Sequence, residues 1–139
     1  PWQSDMYDMA HTIREVVEPA DHPRIGGFNI LMQAYYYDNQ VMNLDGIGND
    51  PVFARIKDHT LGDYIDEVGL EYIVDWDYYI KKRHAPHLPE DFASRLEPVI
   101  ECGGPGSLRK WKGPLTLYRI LPRGQTPGNA KPMQCYRPE

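Results

Sequence analysis

The chain has 139 residues, enough for one domain with a hydrophobic core but not for two. Hydrophobic residues make up 41% and charged residues 25%, the proportions of an ordinary soluble fold, and no apolar run approaches the ~18 residues of a membrane helix. The formal net charge of -5 argues against a nucleic-acid partner. Because the chain opens on Pro1 rather than Met, we expect that an upstream piece was removed or left out.

Helices and strands alternate in the first part of the chain. An amphipathic helix is predicted over residues 5–18, with Ser4 as its N-cap, because apolar residues recur there at three- and four-residue spacing. Strands are predicted over residues 24–28 and 40–44, and a brief helix is predicted between them over residues 30–36.

One long helix is predicted next. The pair Asp50-Pro51 is typical of a helix start, with Asp50 as N-cap and Pro51 at the first helical position. A stripe of apolar residues that includes Phe53 indicates the buried face of this helix. Gly69 occupies the place of a C-terminal glycine, and a third strand is predicted over residues 71–75.

The second part of the chain is less periodic. Residues 76–80 begin another helix or a loop, and a short helix closed by Pro98 is predicted over residues 88–96. Two further strands are predicted over residues 99–102 and 115–121, and their order allows an antiparallel pair.

The order of elements predicts the fold class. We expect one layered, Rossmann-like α/β domain over residues 1–121, with a mainly parallel sheet and an antiparallel C-terminal edge. Residues 122–139 are rich in Pro, Gly, Gln and Asn and are predicted to be a flexible tail. Cys102 and Cys135 can pair in an oxidising compartment or stay reduced in the cytosol, and the sequence leaves both possibilities open.

Polar residues follow two of the predicted strands. The segment over residues 43–50 places amides and carboxylates at a strand end, where open α/β sheets bind ligands. Taken alone, this segment slightly favours turn chemistry at Asp45-Gly46 over a ligand site. Carboxylates after the third strand can hold a metal or act as acid and base. The predicted ligand-binding residues are Asn43, Asp45, Asn49, Asp75 and Asp77.

Two further motifs have a plainer interpretation. Gly26-Gly27 lacks the full GxGxxG pattern, so close packing between a strand and a helix is favoured over a phosphate-binding turn. Proline separates His84 from His87, so a polar loop is favoured over a metal site. No nucleophile motif is present, and we therefore name no catalytic residue and expect neither a metal nor a cofactor.

Tyrosine is unusually frequent, with ten residues, and it occurs in runs. Tyr35, Tyr36 and Tyr37 are consecutive, as are Tyr78 and Tyr79. We favour half-buried packing at a sheet edge for these rings, and a partner-binding surface is the alternative.

The order of motifs over residues 5–77 resembles the soluble extracytoplasmic domain of polytopic membrane glycosyltransferases of the dolichyl-phosphate-mannose–protein mannosyltransferase type. Two strand motifs come first in this resemblance. The end of a helix and a strand that ends in an aspartate follow them. The matching residues are Arg24-Ile25-Gly26, Tyr36, Val41-Met42-Asn43-Leu44-Asp45-Gly46, Asn49, Tyr64-Ile65, Gly69-Leu70 and Tyr72-Ile73-Val74-Asp75.

The resemblance implies that this chain is an accessory domain and not a catalyst by itself. The catalytic carboxylate of such enzymes lies in their membrane part. The implied role is acceptor binding or packing onto the membrane portion of the same polypeptide. The implied location is extracytoplasmic, at the periplasm or cell surface, and the implied ligand is a sugar or glycan acceptor. The rival hypotheses are a free-standing α/β enzyme for a sugar or phosphorylated ligand and a tyrosine-rich partner-binding module.

Overall fold

A mixed sheet forms the centre of the fold. The computed structural model describes residues 2–30, 34–35, 37, 40–103 and 113–136. The strands of this part of the chain are β1 (Ile25–Gly27), β2 (Val41–Asn43), β3 (Tyr72–Trp76), β4 (Leu96–Cys102), β5 (Leu115–Ile120) and β6 (Met133–Gln134). They form one sheet in the order β2-β1-β3-β5-β4-β6.

Parallel pairing dominates on one side of the sheet. Strand β1 pairs in parallel with β2 and β3, whereas β5 pairs antiparallel with both β3 and β4. Strand β6 adds a short parallel pair to β4. The helices are α1 (Trp2–Val16), α2 (Asp50–Lys57) and α3 (Leu61–Glu67). The α/β class and the antiparallel pairing of the last two predicted strands are therefore confirmed.

Two apolar clusters lie on opposite faces of the sheet, because successive strand residues point to opposite sides. On one face, residues of α1 such as Met9 and Ile13 pack with Val74 and Trp76 of β3. On the other face, residues of α2 and α3 pack with Ile73 of β3. The helices therefore bury their apolar stripes against both sides of β3.

Two predicted helix starts are wrong. Helix α1 begins at Trp2, so Ser4 lies inside it rather than at its N-cap. Helix α2 is capped by Asn49, one residue before the predicted Asp50.

The predicted single helix after Asp50 is also wrong, because it is split into α2 and α3. His59 adopts a left-handed backbone conformation, with a φ of 56°, and this conformation ends one helix before the next begins. Of the residues of α2, Val52 is buried, whereas Phe53 is 54% exposed instead of lying in the predicted buried stripe.

The predicted helix over residues 88–96 is wrong as well. Only Ala93–Arg95 forms a helical turn, of the 3₁₀ type, and Leu96 already begins β4. Pro98 lies within β4, next to an irregularity in its pairing with β5, where the missing N–H of proline is tolerated. Of the brief helix predicted over residues 30–36, Ala34 and Tyr35 are helical, and residues 31–33 and 36 lie outside the described residues.

The C-terminal segment adds a strand that the sequence analysis did not predict. Within residues 122–139, β6 pairs with the outer edge of β4, and the Cys135 N–H donates to the Glu101 carbonyl at 2.9 Å. Cys102 and Cys135 form a disulfide, with their Cα atoms 5.0 Å apart. The pairing that the sequence left open is therefore present in the structure.

Candidate functional site

Asp75 lies at the carboxyl end of β3 and is fully buried. Its Oδ2 accepts the N–H groups of Phe28 at 2.7 Å and Asn29 at 2.9 Å, and its Oδ1 accepts its neighbour's N–H at 2.7 Å. Burial raises the pKa of Asp75 to about 7, although the three N–H donors favour the ionised form. The side chain thus fastens the end of β3 to the turn that follows β1.

The loop after β2 is organised by its own polar side chains. Asn43 Oδ1 accepts the Asp45 N–H at 2.7 Å, and Asp45 Oδ1 accepts the Ile47 N–H at 2.7 Å. Asn49 Nδ2 donates to the Asn43 carbonyl at 3.0 Å. These are turn-forming bonds of the kind that Asn and Asp make with nearby backbone. Turn chemistry at Asp45 is therefore confirmed, and it brings Asn43, Asp45 and Asn49 into one loop.

Asp45 connects this loop to two other groups electrostatically. Its negative charge contributes to the raised pKa of Asp75, and it also favours the protonated form of His84. His84 stacks face to face on Phe28, with ring centroids 3.9 Å apart and planes inclined by 5°. Burial outweighs the effect of Asp45 and lowers the pKa of His84 to about 4. His84 is therefore neutral at pH 7.

A π-helical turn carries His84 to this position. The turn spans Tyr79–Arg83, directly after β3, and the His84 N–H donates to the Tyr79 carbonyl five residues earlier at 2.9 Å. Such turns are frequent at functional sites. The ring of His87 lies 6.3 Å from that of His84, and its buried Nδ1 has no hydrogen-bond partner within the described part of the chain.

Sequence reasoning missed the contribution of His84 and Phe28. The histidine was noted only as part of a polar loop, and Phe28 as the end of a strand. The stack depends on the π-helical turn, for which no local sequence pattern exists. We call the site formed by these residues the polar edge. It combines four predicted residues with two that were not predicted. The predicted ones are Asn43, Asp45, Asn49 and Asp75, and the others are Phe28 and His84.

Asp77 belongs to a different cluster. The Tyr118 hydroxyl donates to Asp77 Oδ1 at 2.5 Å and accepts from Lys81 Nζ at 3.0 Å. Lys81 Nζ also lies 3.3 Å from Asp77 Oδ2. Burial, with the acceptor Asp77, raises the pKa of the Tyr118 phenol above its ordinary value. Asp77 is thus neutralised by its own partners rather than paired with Asp75.

The predicted tyrosine clusters divide between surface and interior. Tyr35 is 72% exposed, whereas Tyr37 is buried and its hydroxyl donates to the Val17 carbonyl at 2.7 Å. Tyr78 and Tyr79 are half-buried, and Tyr36 lies outside the described residues. Of the first cluster, Tyr37 is therefore a core residue, and only Tyr35 among the described positions presents a ring to solvent.

The two glycines near the polar edge are closely packed, but against a strand and loop residues rather than the predicted helix. A Cβ on Gly27 would lie 2.3 Å from the Val74 carbonyl oxygen, and a Cβ on Gly26 would lie 2.9 Å from a methyl of Leu44. Side chains at these positions would separate β1 from β3 and from the loop after β2. The two glycines therefore serve the close approach of neighbouring elements.

Among the described residues, no group of three or more His, Cys, Asp or Glu side chains is arranged to hold a metal ion. The helices of the described ranges are all too short or too polar to cross a bilayer. Comparison of the chain with protein-family models, curated proteins and solved structures gives no match.

Proposed function

We propose that this chain is an extracytoplasmic accessory domain of a membrane-bound glycosyltransferase and that its polar edge binds the sugar or glycan acceptor. We also propose a Rossmann-like layering with helices on both faces of the sheet. The parallel order β2-β1-β3 supports it, because doubly wound sheets of the flavodoxin-like type begin with this order. In the full-length protein the domain packs on the membrane portion of the same polypeptide. Catalysis belongs to that portion in this proposal.

One observation carries the proposal: the loop of Asn43, Asp45 and Asn49 lies at the carboxyl ends of the parallel strands, beside the Phe28–His84 stack. Open α/β sheets bind ligands at this edge. Amide groups donate hydrogen bonds to sugar hydroxyls and accept them, and carboxylate groups accept them. Asp45 is partly exposed, so it can contact a ligand without leaving its turn.

The disulfide supports an extracytoplasmic location. Disulfides form and persist in oxidising compartments such as the periplasm or the cell surface, and they are rare in the cytosol. Cys102 and Cys135 come from β4 and from the residue after β6, so their bond fixes the C-terminal segment to the sheet. The location and the membrane tether are tested together by the native reading frame, which we expect to encode membrane-spanning segments with this domain.

Acceptor binding is tested by titrating the isotopically labelled chain with methyl α-mannoside and with a mannosylated Ser/Thr peptide. We expect saturable NMR shifts at the backbone amides of Asp45, Ile47 and His84. Asp45→Asn keeps the oxygen that accepts the Ile47 N–H but removes the charge, so it should weaken binding while preserving the loop. Asp58→Asn, an exposed carboxylate after α2, is the matched control. Equal binding by the two variants contradicts a role for Asp45, and no binding of either probe favours packing over acceptor binding.

A second candidate is a free-standing α/β enzyme that acts on a sugar or phosphorylated ligand. The pKa of Asp75, at about 7, favours it, because an acid or base works best near the operating pH. A reading frame without membrane segments, together with turnover that Asp75→Asn abolishes in a folded protein, would establish this function in place of the first.

A further inference from the structure

We propose that a groove at the opposite end of the sheet binds the phosphate group of a ligand, with Arg95 as its main contact. The groove has a volume of about 330 Å³ and lies between α3, the start of β3 and the end of β5. Tyr72 is the first residue of β3, and Asp75 lies near its last, so this site is separate from the polar edge. It is also independent of the function proposed above.

Arg95 is held rigidly at the groove. Its side chain is 6% exposed. The Nε donates to the Leu121 carbonyl at 2.8 Å, and the Leu121 N–H donates back to the Arg95 carbonyl at 2.9 Å. The first bond holds the guanidinium in place, and the second holds the backbone of Arg95 beside Leu121. Arg95 and Leu121 both line the groove. A ligand would therefore meet a guanidinium that is already oriented.

The charge of Arg95 is only partly compensated. The nearest carboxylate, Asp66, has its Oδ1 3.7 Å from Arg95 Nη2, which is beyond hydrogen-bond distance. The other oxygen of Asp66 is held by Arg123 at 2.7 Å. A buried charge gains less from a carboxylate beyond hydrogen-bond distance than from one in contact. An anion that enters the groove would add a closer partner.

Further arginines lie at the groove or close to it. Arg119 lines it and is paired with Glu97. Arg24 Nη1 lies 2.7 Å from where a Cβ would stand on Gly69, another lining residue. The charged residues that line the groove are two arginines, Arg95 and Arg119, and two carboxylates, Asp66 and Glu71.

Phosphate fits this arrangement better than a carboxylate does. Guanidinium groups bind both anions through paired N–H donors. The arginines, however, come from separate elements: the 3₁₀ turn before β4, strand β5 and the segments before β1 and after β5. Donors from several directions suit a tetrahedral oxyanion, whereas a carboxylate is planar. The volume accommodates a small phosphate ester.

The test titrates the labelled chain with glycerol 3-phosphate at constant ionic strength, with acetate as the carboxylate control. We expect saturable amide shifts at residues 66, 69–72, 95 and 119–122. Arg95→Lys keeps the charge but loses the donor fork, and Arg119→Gln alters an exposed position that tolerates substitution. Each should weaken binding about tenfold or more, the effect of losing a hydrogen bond to a charged group. Arg55→Gln, which removes an arginine paired with Glu67 outside the groove, should bind as the unsubstituted chain does.

A parallel arm distinguishes a free ester from a lipid headgroup. Sedimentation with phosphatidylcholine vesicles that contain phosphatidic acid is compared with sedimentation with phosphatidylcholine alone. Binding to glycerol 3-phosphate without vesicle binding indicates a soluble ligand, and vesicle binding that Arg119→Gln reduces indicates a lipid surface. The proposal is overturned if neither arm shows saturable binding, if acetate produces the same shifts, or if Arg119→Gln binds as tightly as the unsubstituted chain.

Discussion

Asp75 and Phe28 are 47 positions apart in the chain, yet Oδ2 of Asp75 accepts the Phe28 N–H at 2.7 Å. The same oxygen accepts the next N–H, that of Asn29. The backbone of Phe28 is therefore set by the end of β3, and its ring is placed where His84 stacks on it. One buried carboxylate thus joins the framework of the parallel strands to the aromatic part of the polar edge.

Removing this carboxylate should destabilise the fold. Asp75→Ala leaves three N–H groups without their acceptor, two of them in buried hydrogen bonds, and each buried unsatisfied group costs about 1–3 kcal/mol. We expect the free energy of unfolding to fall by about 3 kcal/mol or more, measured by urea denaturation. Asp58→Ala, at an exposed position, should change it by no more than about 0.5 kcal/mol. Equal midpoints for the two variants would mean that these N–H bonds do not support the fold.

The contribution of Asp75 to stability should decline as the pH rises. Its pKa is about 7 in the folded state and 3.8 as the ordinary value, so the folded state holds a proton that the unfolded state releases. The contribution is complete below pH 4 and is lost as the pH rises toward and through 7. Asp75→Asn lacks this titration. The difference in unfolding free energy between the unsubstituted chain and Asp75→Asn should therefore fall from pH 5 to pH 7, by about 2 kcal/mol.

Comparison with Asp75→Asn also separates the titration of Asp75 from that of His84. The contribution of His84 to stability changes with pH in the opposite direction. The folded-state pKa of His84, about 4, lies below its ordinary value of 6.5, so its contribution to stability is lost as the pH falls. Because both proteins contain His84, its contribution cancels in the difference. A difference that stays constant or grows between pH 5 and pH 7 would contradict the raised pKa of Asp75.

Asp45 should act on two neighbours in the same direction. Its charge raises the pKa of Asp75 and also raises that of His84. In an NMR titration of the imidazole C–H signals we expect His84 to protonate near pH 4. Asp45→Asn should lower the pKa of both Asp75 and His84, whereas Asp58→Asn should leave both unchanged. If the pKa of only one of the two groups shifts, Asp45 is not close enough to both of them to act on both.

Local patterns in the sequence were sufficient to predict the strands around the polar edge. The short apolar runs before Asn43 and Asp75 lie in β2 and β3, and parallel pairing of both with β1 brings their ends to one edge. The break between α2 and α3 could not be predicted, because it depends on a left-handed conformation at His59 that is uncommon for a residue other than glycine.

Features that depend on residues far apart in the chain could not be predicted from local sequence patterns. Strand β6 has two residues, too few for an alternating pattern, and it is held by pairing with β4 and by Cys102. The Phe28–His84 stack joins residues from two distant segments, and the turn that orients His84 has no known sequence pattern. The candidate site could therefore be predicted in its carboxylates and amides but not in its aromatic part.

The disulfide should stabilise the fold and hold β6 in place. Cys102 and Cys135 are 33 positions apart, and closing a loop of this length in the unfolded chain is worth about 3–4 kcal/mol. We expect the Cys102→Ser, Cys135→Ser double variant to lose about this much, and its amides at residues 133–135 to lose protection in hydrogen exchange. Added reductant should destabilise the unsubstituted chain and leave the variant unaffected. Unchanged protection of these amides in the variant would show that strand pairing alone holds β6.

Gly27 should not tolerate even a methyl group. The new Cβ of Gly27→Ala would lie 2.3 Å from the Val74 carbonyl oxygen and 2.5 Å from Cγ2 of Ile30. The first of these is a backbone atom of the paired strand, so β1 and β3 would have to separate, and we expect a loss of about 3 kcal/mol. Gly128→Ala, where a Cβ meets nothing within 4 Å, is the matched control. A Gly27→Ala protein as stable as Gly128→Ala would refute close packing as the reason for this glycine.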